Sequence, residues 1–483
     1  MSVGLLSYGA YIPRLRLQRK VVTAFNSWFT GSTRAGGERA MANWDEDSVT
    51  MAVEAARDCL NGIDLMPAAV HLASTSPPFD DRQNAGIVAT ALDLPTSVGT
   101  LDLSASLRAG TAGLIAALQM GAGGAGPILF SASEHRRTRS ASSQESSYGD
   151  GAAALLVGEG RPVATLMASC TVTADLVDHY RGHGTTTDYS WEERWVREEG
   201  WLKLVPEAIR GALEKAGVDA GSVSFACIPG MLPKIQAQVA KAAGLSEAAL
   251  RDNLASVCGD TGTAHPLLML AHALESAKAG ERILVVGFGQ GCDALLFQVA
   301  ETVAEFPRRN GVSGSLARRK SESDYGKFLA FNDGLDLERG MRAELDKATA
   351  MTALYRNRRM LLGLVGGVCT KCGTRQFPKS NICVNPNCRA WNSQSGHRFA
   401  DTKAKVMSFT ADMLTYSPDP PSHCGMVEFE QGGRFMADFT DVDFGHVEVG
   451  MPMKMMFRIK DFDTQRNFTR YFWKAAPAAV EED

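Results

Sequence analysis

Four cysteines near the C-terminal end have the type and spacing of a metal site. Cys369 and Cys372 are separated by two residues, and after ten further residues Cys383 and Cys388 are separated by four. Zinc favours tetrahedral thiolate coordination, and two short turns joined by a hairpin bring four sulfurs together with little loop strain. The second turn is wider than the usual two-residue gap. Because four thiolates leave the metal no open position, we predict a structural Zn2+ ion and not a catalytic one.

The remaining composition narrows the classes of function. The other six cysteines are scattered singly along 483 residues, which is typical of a reducing, cytoplasmic setting and not of a disulfide framework. A net charge of −4 gives no electrostatic case for binding nucleic acid or an anionic membrane surface. No apolar run approaches the ~20 residues that span a bilayer. The opening MSVGLLSYGAYIP lacks the basic leader of a signal peptide and predicts a strand.

Up to about residue 300 the chain alternates two kinds of apolar pattern. Strand-like runs at 69–74, 128–133 and 283–288 alternate with helix-like runs at 48–60 and 111–120. This alternation predicts an α/β fold.

A weak internal repeat divides this region into two halves. AVEAARDCLNGIDLMPAAVHLAS, from Ala52, matches VPEAIRGALEKAGVDAGSVSFACI, from Val205. In each half a Gly/Thr-rich loop that opens a helix comes next, and a further strand follows it. A duplication predicts a pseudo-two-fold relation that brings the Leu107 and Asp260 turns to one pocket. A chance match of generic βαβ units is the alternative.

Beyond residue 303 the residue composition and the apolar pattern change twice. Residues 304–363 are rich in Arg, Lys, Ser and Gly and predict a linker with a polar helix from Leu337 to Met360. Beyond the cysteine cluster, short alternating strands predict a small antiparallel barrel, with a hairpin turn at Gln431-Gly432-Gly433. The expected domains are an α/β domain at 1–303 (halves of about 1–160 and 161–303), the linker at 304–363, a zinc ribbon at 364–398, the barrel at 399–475 and a disordered tail at 476–483.

The C-terminal region and the first 300 residues each resemble a known family. CTKCGTRQFPKSNIC and the strands after it resemble the acyl-CoA-associated zinc-ribbon/OB-fold family, over about residues 350–475. The first 300 residues resemble the thiolase superfamily, nearest to its HMG-CoA synthase and ketoacyl-ACP synthase III branch. The segments that carry this second resemblance are GLLSYGAYIPRLRL, ASLRAGTAGL, GDGAAALLVG, CGDTGTA and ILVVGFGQGCDALLF. The resemblance implies a duplicated αβαβα domain, a coenzyme A thioester as substrate and a homodimer.

The catalytic positions that the resemblance implies are all altered. The family's nucleophilic Cys falls at Leu107, its His at Cys227 and its loop Asn at Asp260. The Glu that HMG-CoA synthases use as general base falls at Thr75. No Cys lies between Cys59 and Cys170, so the loss of the nucleophile does not depend on the exact register. An acyl-Cys intermediate is therefore excluded, and with it ordinary thiolase, HMG-CoA synthase and ketoacyl synthase chemistry.

One remaining interpretation is an enzyme that makes or breaks a carbon–carbon bond next to an acyl-CoA thioester. Aldol chemistry needs a base and an oxyanion site but no acyl-enzyme. The thiolase-like steroid side-chain aldolases, which lack the Cys and pair with a zinc-ribbon/OB partner, resemble this combination. Asp260 is the candidate base, with a pKa raised by apolar walls such as Leu107. Its candidate helpers are Cys227, Cys258, His265 and Tyr148.

Each candidate also has a structural interpretation. Asp260 is well placed to cap a helix, His265 and Tyr148 to pack, and the two thiols to fill the core. The alternative function, from another class, is a non-catalytic acyl-CoA-binding subunit paired with an active thiolase. The loss of all four expected catalytic positions favours the partner role. The gain of an acid at Asp260 favours the enzyme.

Overall fold

The computed structural model describes residues 2–32, 35–338, 340 and 350–478. The chain forms two compact units. Within the described residues the first unit comprises 2–43, 47–86 and 96–335, and the second comprises 44–46, 87–95 and 336–478.

The strands of the first unit are, in chain order, β1 Ser2–Tyr11, β2 Leu15–Gln18, β3 Glu38–Met41, β4 Ala69–Ala73, β5 Gly99–Leu103, β6 Ile128–Glu134, β7 Gly151–Gly160, β8 Ala164–Thr173, β9 His179–Tyr180, β10 Tyr189–Ser190, β11 Phe225–Cys227, β12 Arg282–Phe288, β13 Gly291–Val299 and β14 Lys320–Glu322. The helices up to residue 335 are α1 Arg19–Thr30, α2 Ser48–Leu60, α3 Asn84–Ala91, α4 Ala109–Ala122, α5 Ser143–Ser147, α6 Glu193–Trp195, α7 Val205–Ala216, α8 Ile235–Ala243, α9 His265–Leu274, α10 Gly311–Ala317 and α11 Tyr325–Phe331, and a π-helical segment, Val196–Leu204, precedes α7.

A nine-stranded mixed sheet organises the described part of this unit. Its order is β11-β12-β13-β8-β1-β7-β6-β4-β5. The antiparallel pair β1/β7 has a counterpart in β8/β13, and the parallel pair β4/β6 has one in β11/β12. The two halves therefore meet at β1 and β8 with the same plan on each side. This arrangement confirms the duplicated α/β fold class.

Small residues let the helices approach closely at the centre of the sheet. Ten of the thirteen residues of α2 are buried, and a capping box of Asp47 and Thr50 begins the helix. The Ala/Gly-rich α4 packs closely against the loop of residues 259–264, which we call the 260s loop. A Cβ built on Gly110 would be 2.1 Å from the carbonyl oxygen of Thr263. The start of α4 and the 260s loop are thus held against each other by backbone packing.

The linker predicted at 304–363 is wrong over its first part. Residues 311–331 form α10, β14 and α11, and β14 pairs in parallel with β2. Tyr325, Phe328 and Leu329 lie in a buried cluster with Leu17 and Val22. The predicted helix Leu337–Met360 falls partly on 339 and 341–349, which lie outside the described residues. In its described part, helix is found only from 351 onward.

The second unit contains two further sheets. Its elements are α12 Met351–Arg356, α13 Arg358–Leu361, β15 Val365–Cys369, β16 Arg375–Gln376, β17 Gln394–Arg398, β18 Ala404–Asp412, β19 Ser422–Phe429, β20 Arg434–Asp438, β21 Pro452–Asp463 and β22 Phe468–Pro477. The order β16-β15-β17 forms the ribbon, and β20-β19-β18-β21-β22 is an antiparallel sheet. A bond from the N–H of Thr440 to the Ala475 carbonyl, 2.8 Å, joins the segment after β20 to β22.

The turns and ends of this sheet test two details of the predicted barrel. Gln431, Gly432 and Gly433 all have positive φ between β19 and β20, as the predicted hairpin requires. Ala476 and Pro477 belong to β22, so the predicted tail at 476–483 is wrong at its start, and 479–483 lie outside the described residues. Among the described helices, none has the length and apolar character needed to cross a membrane.

Candidate functional site

The four predicted zinc ligands come together in the ribbon. The sulfurs of Cys369, Cys372, Cys383 and Cys388 all lie within 4.8 Å of one another. The Cys369–Cys388 and Cys372–Cys383 sulfur pairs are 3.9 and 3.5 Å apart. A tetrahedral site with Zn–S bonds of about 2.3 Å places its sulfurs about 3.8 Å apart. The donor set and its spacing therefore fit zinc, and the predicted structural site is confirmed.

Backbone turns at each pair of cysteines hold the sulfurs in place. Gly373, with φ +74°, donates its N–H to the carbonyl of Cys369 at 2.8 Å. On the other side the N–H of Cys388 donates to the carbonyl of Asn385 at 3.0 Å. The Ser393 hydroxyl lies 3.1 Å from the Cys369 sulfur, where it can donate to a thiolate and orient it.

In the first unit, the Leu107 turn lies just before α4. Ala105 has φ +73°, a left-handed conformation that is costly for a residue with a Cβ. The Ser106 hydroxyl donates to the carbonyl of Gly289 and accepts from the N–H of Arg108, at 3.0 and 3.1 Å. These bonds fix Leu107 at the opening of the helix. This is the position at which the resemblance to thiolases implies a nucleophile.

The Asp260 loop meets this turn. Its backbone bridges to α5, because the N–H of Asp260 donates to the Ser147 carbonyl at 2.7 Å. The N–H of Gly262, at φ +55°, donates to the Asp260 carboxylate at 2.9 Å. A Cβ built on Gly262 would lie 3.1 Å from Leu107 Cδ2. The two turns thus lie together, as the repeat predicts.

Asp260 is paired with a buried arginine. Arg136 Nη2 lies 3.1 Å from Asp260 Oδ2, and their side chains are 1% and 20% exposed. The same nitrogen donates to the Asp260 carbonyl at 2.8 Å. Burial acts to raise the pKa of Asp260, but the Arg136 charge and the Gly262 N–H outweigh it and hold that pKa below the ordinary value. The predicted rise in the Asp260 pKa is therefore wrong, because the carboxylate faces a guanidinium as well as an apolar wall.

Tyr148 links this pair to a second one. Its ring lies under the Arg136 guanidinium, 3.6 Å from Cζ to ring centre. Its hydroxyl donates to Asp188 Oδ2 at 3.0 Å, and Arg181 Nη1 lies 2.9 Å from Asp188 Oδ1. Burial raises the pKa of Tyr148, so its phenol stays protonated as a donor to Asp188. A chain of contacts thus runs from Asp260 to Arg181.

Glu134 is a residue that the sequence analysis missed. It ends β6, is fully buried, and accepts from the hydroxyls of Thr75, Ser76 and Thr263. The N–H of Thr75, the position that the resemblance aligns with a catalytic Glu, also donates to it, at 2.8 Å. One carboxyl group therefore ties together the loop after β4 and the 260s loop. The available signal was the run of charged residues, Glu134 to Arg137, directly after an apolar strand.

The other predicted helpers are occupied or buried. His265 is 1% exposed, its Nδ1 accepts from the N–H of Thr261 at 3.1 Å, and its Nε2 lies 2.8 Å from the carbonyl of Asn253. Both ring nitrogens thus hydrogen-bond to backbone groups, so the role of His265 is to stabilise the loop. Cys227 and Cys258 are fully buried, and burial raises the pKa of each thiol to about 12. Neither thiol is poised for nucleophilic chemistry.

A cavity of about 510 Å³ opens at the far end of this chain of contacts. It lies between the start of α5 and the β9–β10 hairpin, with Asp188 in its wall. Hydroxyl, amide and aromatic groups share the lining, including Ser142, Gln144, Tyr180, Tyr189 and Trp191. The three aromatic side chains are about half exposed.

Three models of known families match different parts of the chain. Residues 213–298 match the model of the 3-oxoacyl-[acyl-carrier-protein] synthase III C terminal. Residues 361–391 match the ChsH2 rubredoxin-like zinc ribbon domain, and residues 397–458 match the ChsH2 C-terminal OB-fold domain. The zinc ribbon and the OB-fold predicted from the sequence are therefore confirmed.

Curated relatives and solved structures match about two thirds of the chain or more. The hydroxymethylglutaryl-CoA synthase of Aeropyrum pernix is 30% identical over 337 residues, which is 68% of this chain and 93% of the relative. That of Archaeoglobus fulgidus is 29% identical, with 68% of this chain and 97% of the relative covered. A crystal structure of HMG-CoA synthase complexed with CoA matches 72% of this chain and 95% of its own, with a TM-score of 0.60 at 18% identity.

The curacin-pathway HMG synthase, solved with an acetyl donor-ACP, gives a TM-score of 0.59 at 18% identity, over 82% of this chain and all of its own. These structural matches show the thiolase-like fold, and the sequence identity over nearly whole relatives shows the family. The protein is therefore a member of the hydroxymethylglutaryl-CoA synthase family that also carries a zinc ribbon and an OB-fold domain.

Proposed function

We propose that this protein acts on acyl-CoA thioesters and makes or cleaves the carbon–carbon bond next to the thioester by aldol-type chemistry. The observation that carries the proposal is the pairing of Asp260 with buried Arg136 beside Leu107. Leu107 occupies the position of the family's nucleophilic thiol, and the Asp260–Arg136 charged pair lies beside it. The 510 Å³ cavity that reaches Asp188 offers room for part of a large substrate.

The chemistry follows from what the site retains. Leu107 cannot accept an acyl group, and Cys227 and Cys258 stay protonated in the core. Retro-aldol cleavage needs only a base for the β-hydroxyl and a group that stabilises the enolate. Asp260 is the proposed base, and since its pKa is low, it takes the proton only as the carbon–carbon bond breaks. The same carboxyl group then returns the proton to the enolate carbon.

Two further parts of the proposal concern partners. The zinc ribbon (364–398) and OB-fold (399–475) are proposed to bind acyl-CoA, as the resemblance to the acyl-CoA-associated modules implies. A homodimer is proposed through β5, an edge strand of the nine-stranded sheet whose Leu101 is 44% exposed. Such an edge presents unpaired backbone groups to a second copy.

The alternative function is a non-catalytic acyl-CoA-binding subunit beside an active thiolase. Two of the predicted helpers have structural roles that favour this function. The His265 side chain hydrogen-bonds to the backbone, and the Cys227 side chain is buried in the core. In this case the charged pair of Asp260 would hold the loop and would not transfer protons.

Cleavage assays separate these functions. The purified chain is incubated with a set of β-hydroxyacyl-CoAs, and the release of acetyl- or propionyl-CoA with a carbonyl product is followed by mass spectrometry. Cleavage by the chain alone that is lost in Asp260→Asn supports the aldolase. Cleavage that begins only when a thiolase-type subunit is added contradicts it and supports the partner role.

A further inference from the structure

Two nitrogens of the Arg136 guanidinium group have no protein acceptor in the described part of the chain. The side chain is 1% exposed, and Nη2 is the nitrogen used in both contacts with Asp260. Nε and Nη1 are buried and donate to no acceptor among the described residues. A buried N–H group without a partner destabilises the protein, the more so when the group is charged. A site that keeps such donors is suited to a ligand that supplies the acceptor.

Neighbouring residues hold the Arg136 guanidinium group in a fixed position. The Tyr148 ring covers one face of the guanidinium at 3.6 Å, and Asp260 holds one end. A Cβ built on Gly262 would lie 3.1 Å from Arg136 Nε and 3.1 Å from Leu107 Cδ2. The Nε–H group is therefore next to the Leu107 turn, which is the position of the nucleophile in the families that this domain resembles, and its orientation is fixed before any substrate binds. Preorganised donors of this kind are the usual source of oxyanion stabilisation.

The surrounding charges decide which acceptor suits the unpartnered Arg136 donor. Three carboxyl groups (Glu134, Asp188 and Asp260) lie close to two guanidinium groups (Arg136 and Arg181). A substrate carboxylate would add a further full negative charge to this set. A thioester carbonyl oxygen is neutral in the ground state and becomes negative only as the enolate forms.

We propose that the unpartnered Nε–H group of Arg136 binds the thioester oxygen of the acyl-CoA and stabilises the enolate, which makes Arg136 a catalytic residue. This inference rests on the proposed function. In the cleavage direction, Asp260 takes the β-hydroxyl proton, and the O–H electron pair becomes the second bond of the carbonyl product. The electron pair of the broken carbon–carbon bond is delocalised over the α-carbon and the thioester oxygen of the enolate. Arg136 donates a hydrogen bond to that oxygen. The enolate carbon then takes the proton back from Asp260, so acyl-CoA and one carbonyl compound account for all atoms.

Two activities test the role of Arg136: cleavage of β-hydroxyacyl-CoA, and exchange of the α-protons of acetyl-CoA in D2O. Arg136→Gln removes the charge, and Arg136→Lys keeps it but changes the planar donor edge. Each variant is expected to lower kcat and the exchange rate by about 100-fold or more. KM is expected to change far less, since the added bond strength arises in the transition state. The matched control is Arg161→Gln, at an exposed ion pair with Glu305, 79% and 76% exposed, which should retain both activities.

A spectroscopic measurement does not depend on the variants folding. Acetyl-CoA labelled with ¹³C at the carbonyl, bound to the unmodified protein, should show a downfield carbonyl shift from the Arg136 hydrogen bonds. Arg136→Lys should reduce the shift where it folds. An unshifted carbonyl resonance in the bound complex means that Arg136 does not bind the thioester oxygen, and the inference is then wrong.

The outcomes also separate this inference from the proposed function. Exchange without cleavage, lost in both Arg136 variants, supports the role of Arg136 and contradicts the aldolase. Cleavage that stays within threefold of the unmodified rate in folded variants contradicts the role of Arg136 and leaves the aldolase standing. A chain with neither activity contradicts both.

Discussion

Gly262 is the point where the site can be perturbed by a single methyl group. Gly262→Ala would place a Cβ 2.9 Å from Glu134 Cγ and 3.1 Å from both Arg136 Nε and Leu107 Cδ2, at φ +55°. The left-handed backbone costs an Ala about 1 kcal/mol. Overpacking against the side chains of Glu134, Arg136 and Leu107 adds about 1–3 kcal/mol. We therefore expect the free energy of unfolding to fall by about 2–4 kcal/mol.

A matched glycine isolates the packing part of this loss. Gly217, at the end of α7, has φ +65° with nothing within 4 Å of a built Cβ. Gly217→Ala should therefore lose only the backbone part, about 1 kcal/mol. Urea denaturation followed by circular dichroism measures both variants, and acetyl-CoA exchange in D2O measures the site. Gly262→Ala should also lose exchange, because Arg136 and Leu107 must shift. Equal stability losses in the two variants would refute the packing argument.

Three further predictions follow from the pKa values and the zinc ligands. One equivalent of zinc should be found by elemental analysis, and chelation should unfold the second unit while the circular dichroism and melting of the first unit persist. The stability advantage over Asp260→Asn should be full above pH 3.8, the ordinary Asp pKa, and shrink as pH falls through the lower folded value; an advantage that grows on acidification would contradict the lowered pKa. Iodoacetamide at pH 8 should leave Cys227 and Cys258 unmodified in the native protein by mass spectrometry, since both thiols are buried with a pKa of about 12.

Features encoded within short stretches of chain could be predicted from the sequence. The zinc ligands lie within twenty residues, so their spacing alone defines the turns that bring the sulfurs together. The duplicated α/β plan follows from apolar periodicity, which each strand and helix carries in its own residues. The absence of a Cys near Leu107 is likewise a property of the chain by itself.

The electrostatics of the site depended on contacts between distant residues. Arg136 and Asp260 are 124 positions apart, and their pairing reverses the pKa shift expected from an apolar wall. The polar segment 311–331 has the composition of a linker, yet it folds because β14 pairs with β2, some 300 residues earlier. The local sequence pattern predicts which face of a helix or strand is apolar. The charge next to a carboxylate depends instead on which element of the fold packs against it. Only the tertiary structure decided that this element was the end of β6, with Glu134 and Arg136 beside Leu107.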